Sequence, residues 1–173
     1  MALIFQYGSN MSIARLNGKD RLCGDAKPIG VMKTLGLFEL VFSVWSKTNN
    51  CAAADIVPCD VGREIYGVVY DVPEILLSRN TAQMNNRISM DHIEGEGTNY
   101  VRRDIDLLKP DGSTAKVLTY VAREPKSGLV TGLDYVKHIL TGLSENNIPE
   151  EYRHYVRSRV IDNNPMLKTV LPL

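Results

Sequence analysis

The sequence has no excess of either charge and no long hydrophobic run. Its 20 Lys and Arg residues balance 20 Asp and Glu residues, so the formal net charge is zero. Because a protein that binds nucleic-acid phosphates needs a basic surface, no nucleic-acid partner is expected. No apolar run reaches the roughly 18 residues that a transmembrane helix needs. The first residues, MALIFQYGSN, lack the basic region of a signal peptide. We therefore expect a cytoplasmic protein with no membrane partner.

Cysteine and histidine are both scarce, with three of each in the chain. No two cysteines form a C-x-x-C pair, and the histidines are too scattered to match the spacing of metal ligands. A sparse, odd number of cysteines without an export signal is typical of reduced thiols in the cytosol. We therefore expect no metal site and no disulfide. The residues concerned are Cys23, Cys51, Cys59, His92, His138 and His154.

Nucleotide-binding motifs, internal repeats and low-complexity segments are absent as well. Neither G-x-G-x-x-G nor a P-loop occurs, so the sequence does not indicate a Rossmann or P-loop protein. A length of 173 residues favours one domain. We expect this domain to span residues 1–160, followed by a loosely packed C-terminal tail at residues 161–173.

The hydrophobic pattern predicts a sheet of short strands with helices at its sides. The clearest strand is EIYGVVYDV at residues 64–72, which is rich in β-branched and aromatic residues. The order of elements predicts an α+β fold whose mixed or antiparallel sheet closes partly into a barrel. Further strands are expected at 2–7, 29–35, 38–45, 100–108 and 115–122, with helices at 11–16, within 73–93, and twice after residue 132.

The turn Tyr7-Gly8-Ser9-Asn10 is the first candidate for a binding site. A strand that enters a helix through a glycine leaves backbone N–H groups unpaired, and such groups attract an anion or a developing oxyanion. The alternative is a plain connection in which Ser9 or Asn10 caps the helix. No G-x-S-x-G motif surrounds Ser9, so this serine is not expected to be a nucleophile. The turn alone leaves both interpretations open.

Glu94 is the second candidate, in the segment DHIEGEGTNYVRR at residues 91–103. It lies between an apolar residue and a glycine, where a helix is expected to end. Burial and the negative end of a helix would both raise its pKa and make it suitable as a general base. The alternative is a solvated turn that carries Glu94 and Glu96, with His92 at the surface.

Three tyrosines are the third candidate, because each lies beside a loop of the expected site: Tyr100, Tyr120 and Tyr135. Tyrosine can offer an apolar wall and a hydroxyl that orients a small polar substrate. The alternative for each of them is packing in the core.

Six motifs follow one another between residues 3 and 157. The first is Tyr7–Asn10 with Met11 behind it, and another is Glu94–Gly95 with Tyr100 six positions after the glutamate. The others are ADIVP at 54–58, GREIYGVVY at 62–70, Thr119-Tyr120, and the Y-x-x-x-I-x-x-G pattern at 135–142 with IPEEY at 148–152. Together these motifs resemble the γ-glutamylcyclotransferase family, also called AIG2-like. The segment before ADIVP lacks the W-x-G-G of animal members and resembles bacterial members.

The resemblance implies a small mixed-sheet β-barrel flanked by helices. It also implies an enzyme that releases 5-oxoproline from a small γ-glutamyl substrate, through attack of the substrate's own α-amine on its γ-carbonyl. In that reaction Glu94 would be the acid/base, and no cofactor would be needed. The resemblance assigns substrate contacts to Tyr7, Gly8, Ser9, Asn10, Met11, Tyr100, Tyr120 and Tyr135.

Two other functions use the same residues. A non-catalytic binding module would keep the pocket, and a γ-glutamyl amide hydrolase would use Glu94 to activate water and release glutamate. The sequence does not identify the leaving amine, which could belong to a specialised metabolite. Whether Glu96 or His92 assists catalysis, and whether the protein is a homodimer, stay open as well.

Overall fold

The computed structural model describes residues 1–171, and the last two residues of the expected tail lie outside this part. Seven strands and five α-helices follow one another with three short 3₁₀ helices between or after them. The strands are β1 (Ala2–Gln6), β2 (Lys27–Thr34), β3 (Phe38–Ser46), β4 (Cys51–Pro58), β5 (Tyr66–Val72), β6 (Tyr100–Leu108) and β7 (Thr114–Ala122). The α-helices are α1 (Ile13–Leu16), α2 (Arg79–Met84), α3 (Met90–Glu94), α4 (Leu133–Glu145) and α5 (Glu150–Asn163), and the 3₁₀ helices are Ser9–Met11, Glu74–Leu76 and Pro165–Thr169.

Five strands form a closed barrel in the order β1-β5-β2-β6-β7. Every neighbouring pair is antiparallel except β1 and β7, which run parallel and meet where Ile4 lies beside Leu118. Closure leaves no open edge, and the barrel interior is filled by apolar side chains such as Phe5 and Val69. The predicted α+β fold, a mixed barrel with flanking helices, is confirmed.

Strands β3 and β4 form a separate two-stranded ribbon, which the sequence patterns did not distinguish from the barrel. Residues 51–56 of β4 are all buried, because β4 packs against β7 of the barrel. The other strand of the ribbon, β3, contacts α5. Helix α5 is attached to β3 by hydrogen bonds: Tyr155 Oη accepts one from Leu40 N at 2.9 Å, and Arg159 Nε donates one to Leu40 O at 3.0 Å. The ribbon thus becomes a second wall beside the barrel.

Helix α4 packs directly on the segment that follows β1. A Cβ atom at Gly142 would lie 2.6 Å from Met11 Cβ and 2.8 Å from Ser12 N, so only glycine allows this approach. Asn146 Nδ2 also donates to Met11 O at 3.1 Å. These contacts fix the position of the Tyr7–Asn10 turn.

The C-terminal region differs from the expected loose tail. Helix α5 continues to Asn163, three residues past the predicted boundary at residue 160. Asn163 Oδ1 accepts a hydrogen bond from Thr131 N at 2.8 Å, and Leu167 is buried. The segment is attached to the domain through Asn163, Leu167 and Leu171, whereas Met166 and Val170 are exposed. Within residues 1–171, no helix is both long and apolar enough to cross a membrane.

Candidate active site

The Tyr7–Asn10 turn leads from β1 into a 3₁₀ helix with unused backbone donors. Met11 N donates to Gly8 O and Ser12 N donates to Ser9 O. The N–H groups of Gly8, Ser9 and Asn10 donate to no protein acceptor in the part of the chain that the structure describes. The cap of α1 is Ser12, whose side chain accepts from Arg15 N at 3.4 Å. Neither Ser9 nor Asn10 caps α1, so the structure does not show the capped connection that was the alternative for this turn.

Glu94 is the last residue of α3, and the structure brings it against this turn. Helix α3 is capped by Ser89 and ends at Gly95, whose φ of +65° favours glycine. Asn10 Nδ2 donates to Glu94 Oε1 at 2.9 Å, although the two residues are 84 positions apart in the sequence. The amide of Asn10 is oriented from its other side as well, because Asn10 Oδ1 accepts from Arg21 Nη1 at 2.9 Å.

Burial raises the pKa of Glu94 above its ordinary value, because the charged form loses solvation. The hydrogen bond from Asn10, the positive charge of Arg21 and the polar side chain of Gln6 lower it to a smaller extent. Burial and these polar contacts thus act on the pKa of the Glu94 carboxyl in opposite directions, and burial has the larger effect.

A small cavity of about 30 Å³ lies between the turn, Glu94 and the barrel strands. We call it the inner chamber. It adjoins a wider outer chamber of about 310 Å³, and the two share Ser9, Asn10, Glu94, Tyr100 and Tyr135. The remaining lining of the inner chamber is Phe5, Gln6, Tyr7, Gly8, Ala54, Thr119 and Tyr120.

The tyrosines line the inner chamber with their rings while their hydroxyls bind protein groups. Two of them hold one residue of β4: Tyr100 Oη donates to Ala54 O at 2.7 Å, and Tyr135 Oη accepts from Ala54 N at 2.9 Å. Tyr7 Oη donates to Tyr120 O at 2.6 Å. Burial raises the pKa of these phenols, so they stay neutral. They make rigid walls and attach the ribbon to the barrel.

Tyr120 is held by a buried acid that the sequence patterns did not reveal. Its hydroxyl donates to Asp91 Oδ1 at 2.8 Å, and Arg102 Nη2 donates to Asp91 Oδ2 at 2.9 Å. Asp91 is only 3% exposed and precedes Glu94 by one helical turn. It therefore fixes both a wall of the chamber and the helix that carries Glu94. The i, i+3 spacing of the two acids was the available sequence signal.

The family of the chain follows from comparison with known proteins. A model of the family described as "Gamma-glutamyl cyclotransferase, AIG2-like" matches residues 4–137. This chain belongs to that family. Glu94, the Tyr7–Asn10 turn and the tyrosines at 100, 120 and 135 all lie within the matched segment. A comparison with curated proteins gives no match.

Several solved structures share the fold. One described as "Gamma-glutamyl cyclotransferase" is 23% identical with a TM-score of 0.74, and it covers 91% of this chain and 86% of its own. An uncharacterized protein from Homo sapiens is 25% identical, with the same TM-score and coverage. YkqA from Bacillus subtilis is 21% identical with a TM-score of 0.69, and the match covers 91% of this chain but 54% of that one. Membership of a bacterial branch of the family stays a prediction.

Most of the residues that the family resemblance assigned to substrate contact meet at the two chambers, with one exception. Met11 lines neither chamber and is fully buried against α4. Its backbone O accepts from Tyr70 Oη at 2.9 Å, and its N–H is used by Gly8. Met11 therefore faces neither chamber in this structure, and the substrate contact expected at this residue stays a prediction.

Two further residues near Glu94 differ in their placement. Glu96 lines neither chamber, whereas His92 is exposed at the outer chamber. Among residues 1–171 there is no group of three His, Cys, Asp or Glu side chains that could hold a metal ion. Four further lining residues were not among the predicted site residues: Gln6 and Ala54 of the inner chamber, and Arg15 and Arg21 of the outer one.

Proposed function

We propose that this protein is a γ-glutamylcyclotransferase that releases 5-oxoproline and a free amine or amino acid from a γ-glutamyl substrate. The observation that carries the proposal is the hydrogen bond from Asn10 to Glu94, which joins a carboxylate of raised pKa to a turn with unused N–H groups. A base in contact with an anion-binding turn, both lining one small chamber, suits an acyl transfer.

The nucleophile in this reaction belongs to the substrate. An α-amine has a pKa of about 7.7–8.0 and is mostly protonated at neutral pH, so it needs a base before it can attack. Glu94 takes that proton while the amine nitrogen bonds to the γ-carbonyl carbon. The same proton then passes to the leaving nitrogen as its bond to carbon breaks, and the ring nitrogen gives its remaining extra proton to the carboxylate and from there to solvent. No step needs a metal or an organic cofactor.

The turn contributes by binding negative charge. The N–H groups of Gly8, Ser9 and Asn10 can hold the substrate α-carboxylate or the oxyanion of the tetrahedral intermediate. A well-placed donor to an oxyanion contributes about 3–4 kcal/mol. The rigid tyrosine walls restrict the γ-glutamyl chain to a folded conformer in which amine and carbonyl meet, and such positioning is a large part of the rate in intramolecular reactions.

The proposal is tested by incubation with γ-Glu-Ala and a panel of γ-glutamylamines, with 5-oxoproline and glutamate measured by mass spectrometry. We expect 5-oxoproline from the wild-type protein and at least about a hundredfold slower formation by Glu94→Gln, because general acid–base catalysis contributes at least that factor. Glu96→Gln is the matched control, since Glu96 lies two residues away and lines neither chamber.

Each of the other outcomes contradicts the proposal in its own way. Glutamate in place of 5-oxoproline would indicate an amide hydrolase. An inert wild-type protein that still binds the substrates would indicate a binding module. Equal activity of wild type and Glu94→Gln would exclude Glu94 as the base.

A further inference from the structure

The outer chamber carries an excess of positive charge. Its lining includes Arg15, Arg21 and Lys47, and Glu94 is the only acid among its lining residues. The other polar side chains around it are neutral: Ser9, Asn10, Ser46, Thr48, Asn49, Thr98, Asn99 and Tyr135, with His92 at the rim. A chamber of this composition favours a negatively charged ligand.

The two arginines lack a carboxylate partner of their own. Arg15 Nη2 donates to Asn49 Oδ1 at 3.0 Å, and Arg21 Nη1 donates to Asn10 Oδ1 at 2.9 Å, so both are held by neutral amides. Within residues 1–171 neither forms an ion pair, whereas Arg102 pairs with Asp91. Arg15 Nε is buried and has no hydrogen-bond partner. A buried guanidinium donor without an acceptor is unfavourable, so a ligand that supplied one would be stabilised.

The repulsion between the two arginines also favours a negatively charged ligand. Burial, and then the nearby charge of Arg21, lower the pKa of Arg15. Each arginine is held in the outer chamber by its own amide, Arg21 by Asn10 of the turn after β1 and Arg15 by Asn49 of the β3–β4 loop. An anion between the arginines would relieve this repulsion.

We propose that Arg15 and Arg21 bind a carboxylate on the leaving group of the γ-glutamyl substrate. This inference rests on the proposed function, because it places the γ-glutamyl unit in the inner chamber beside Glu94. The leaving group then extends past Ser9 and Tyr135 into the outer chamber, where the arginines lie. A carboxylate there accepts hydrogen bonds from both guanidinium groups, whereas a leaving group that carries an ammonium is repelled by them.

The test compares two substrates that differ at one group, γ-Glu-Ala and its neutral analogue γ-Glu-alaninamide. We expect kcat/KM to be about 10- to 100-fold higher for γ-Glu-Ala, as charge-assisted hydrogen bonds are lost with the carboxamide. Arg15→Gln and Arg21→Gln, made separately, should each reduce this ratio toward one. Arg103→Gln should not change the ratio, because Arg103 is exposed on β6 and lines neither chamber.

The ratio is the informative quantity because both arginines also lower the pKa of Glu94. That effect acts equally on the two substrates and cancels, so a change in the ratio reports the carboxylate contact alone. Two single variants keep the test valid if one of them fails to fold, which a thermal melt detects. A wild-type ratio near one overturns the inference, as does a ratio that neither substitution changes.

Failure of the proposed function is separable from failure of this inference. If neither substrate yields 5-oxoproline, the cyclotransferase proposal fails, and the inference is then decided by calorimetric binding of the same two compounds. Tighter binding of γ-Glu-Ala that is lost in Arg15→Gln supports the carboxylate site. Equal binding of the two compounds, or no binding of either, overturns it.

Discussion

Removal of the Asn10 side chain should raise the pKa of the base. In the wild-type protein Asn10 Nδ2 donates to Glu94 Oε1 at 2.9 Å. A hydrogen bond to the charged form of a carboxyl group stabilises that form and lowers its pKa. Asn10→Ala removes this donor and leaves desolvation, the largest effect on Glu94, less opposed. The carboxyl of the variant should therefore hold its proton to a higher pH.

The size of the shift follows from the energy of the lost bond. A hydrogen bond to a charged group contributes about 1.5–3 kcal/mol, and 1.36 kcal/mol corresponds to one pKa unit. We take the lower end because Glu94 is only half-buried, which gives an upward shift of about one unit. Since the base works deprotonated, the acid limb of the kcat/KM profile should move to higher pH by the same amount.

The assay is the pH dependence of 5-oxoproline formation from γ-Glu-Ala between about pH 5 and 9, a range that brackets a raised carboxyl pKa and the substrate amine. Asn146→Ala is the control, because Asn146 also donates an amide hydrogen bond to this segment, to Met11 O, and makes no contact with Glu94. The same pKa can be measured without turnover by NMR titration of the Glu94 side-chain carboxyl carbon, assigned with Glu94→Gln.

An acid limb that stays in place, or moves to lower pH, in Asn10→Ala would refute the reasoning. A downward shift would mean that Arg21, freed from Asn10 Oδ1, had moved onto the carboxylate. An equal shift in Asn146→Ala would mean that the turn as a whole, and not its hydrogen bond to Glu94, adjusts the base.

Three further predictions concern stability. Glu94 has a raised pKa in the folded state, so its contribution to stability is largest below its unfolded pKa and is lost as pH rises through the folded value. Glu94→Gln removes this loss, and the melting temperature of the variant should exceed that of wild type by a margin that grows from pH 4 to pH 7, measured by calorimetry. Gly142→Ala places a Cβ 2.6 Å from Met11 Cβ and should lower the free energy of unfolding in urea by about 1–3 kcal/mol. Asp91→Asn weakens the contacts to Tyr120 and Arg102, and should lower the same free energy by about 1–2 kcal/mol.

Each stability prediction has a matched control. Glu96→Gln should leave the pH dependence of the melting temperature as it is in wild type, and a margin for Glu94→Gln that shrinks as pH rises would contradict the linkage argument. Thr141→Ala changes the exposed neighbour of Gly142 and should not destabilise α4. Asp104→Asn removes an exposed acid from β6. If this variant lowered the free energy of unfolding as much as Asp91→Asn does, the loss of charge, and not of the buried contacts, would explain the effect.

Much of the fold could be read from local patterns. The hydrophobic pattern predicted most of the strands, including β5, β6 and β7. The ribbon of β3 and β4 could not be separated from the barrel, because β4 is buried on both faces and carries no alternation to show which side meets which neighbour. The burial of Leu167 was not predicted for a similar reason, because a short 3₁₀ helix gives no clear hydrophobic periodicity in the sequence.

The sequence by itself determined the parts of the site whose chemistry is local. The backbone of the Tyr7–Asn10 turn leaves its N–H groups without acceptors, and this depends on only a few residues. Gly95 ends α3 just after Glu94 because it adopts a left-handed backbone conformation. Only the tertiary structure decided that the two meet, since Asn10 and Glu94 are 84 residues apart. It also placed Met11 in the core and Arg15 beside Arg21, because contacts across a closed barrel depend on how distant strands pair, and no short stretch of sequence encodes that pairing.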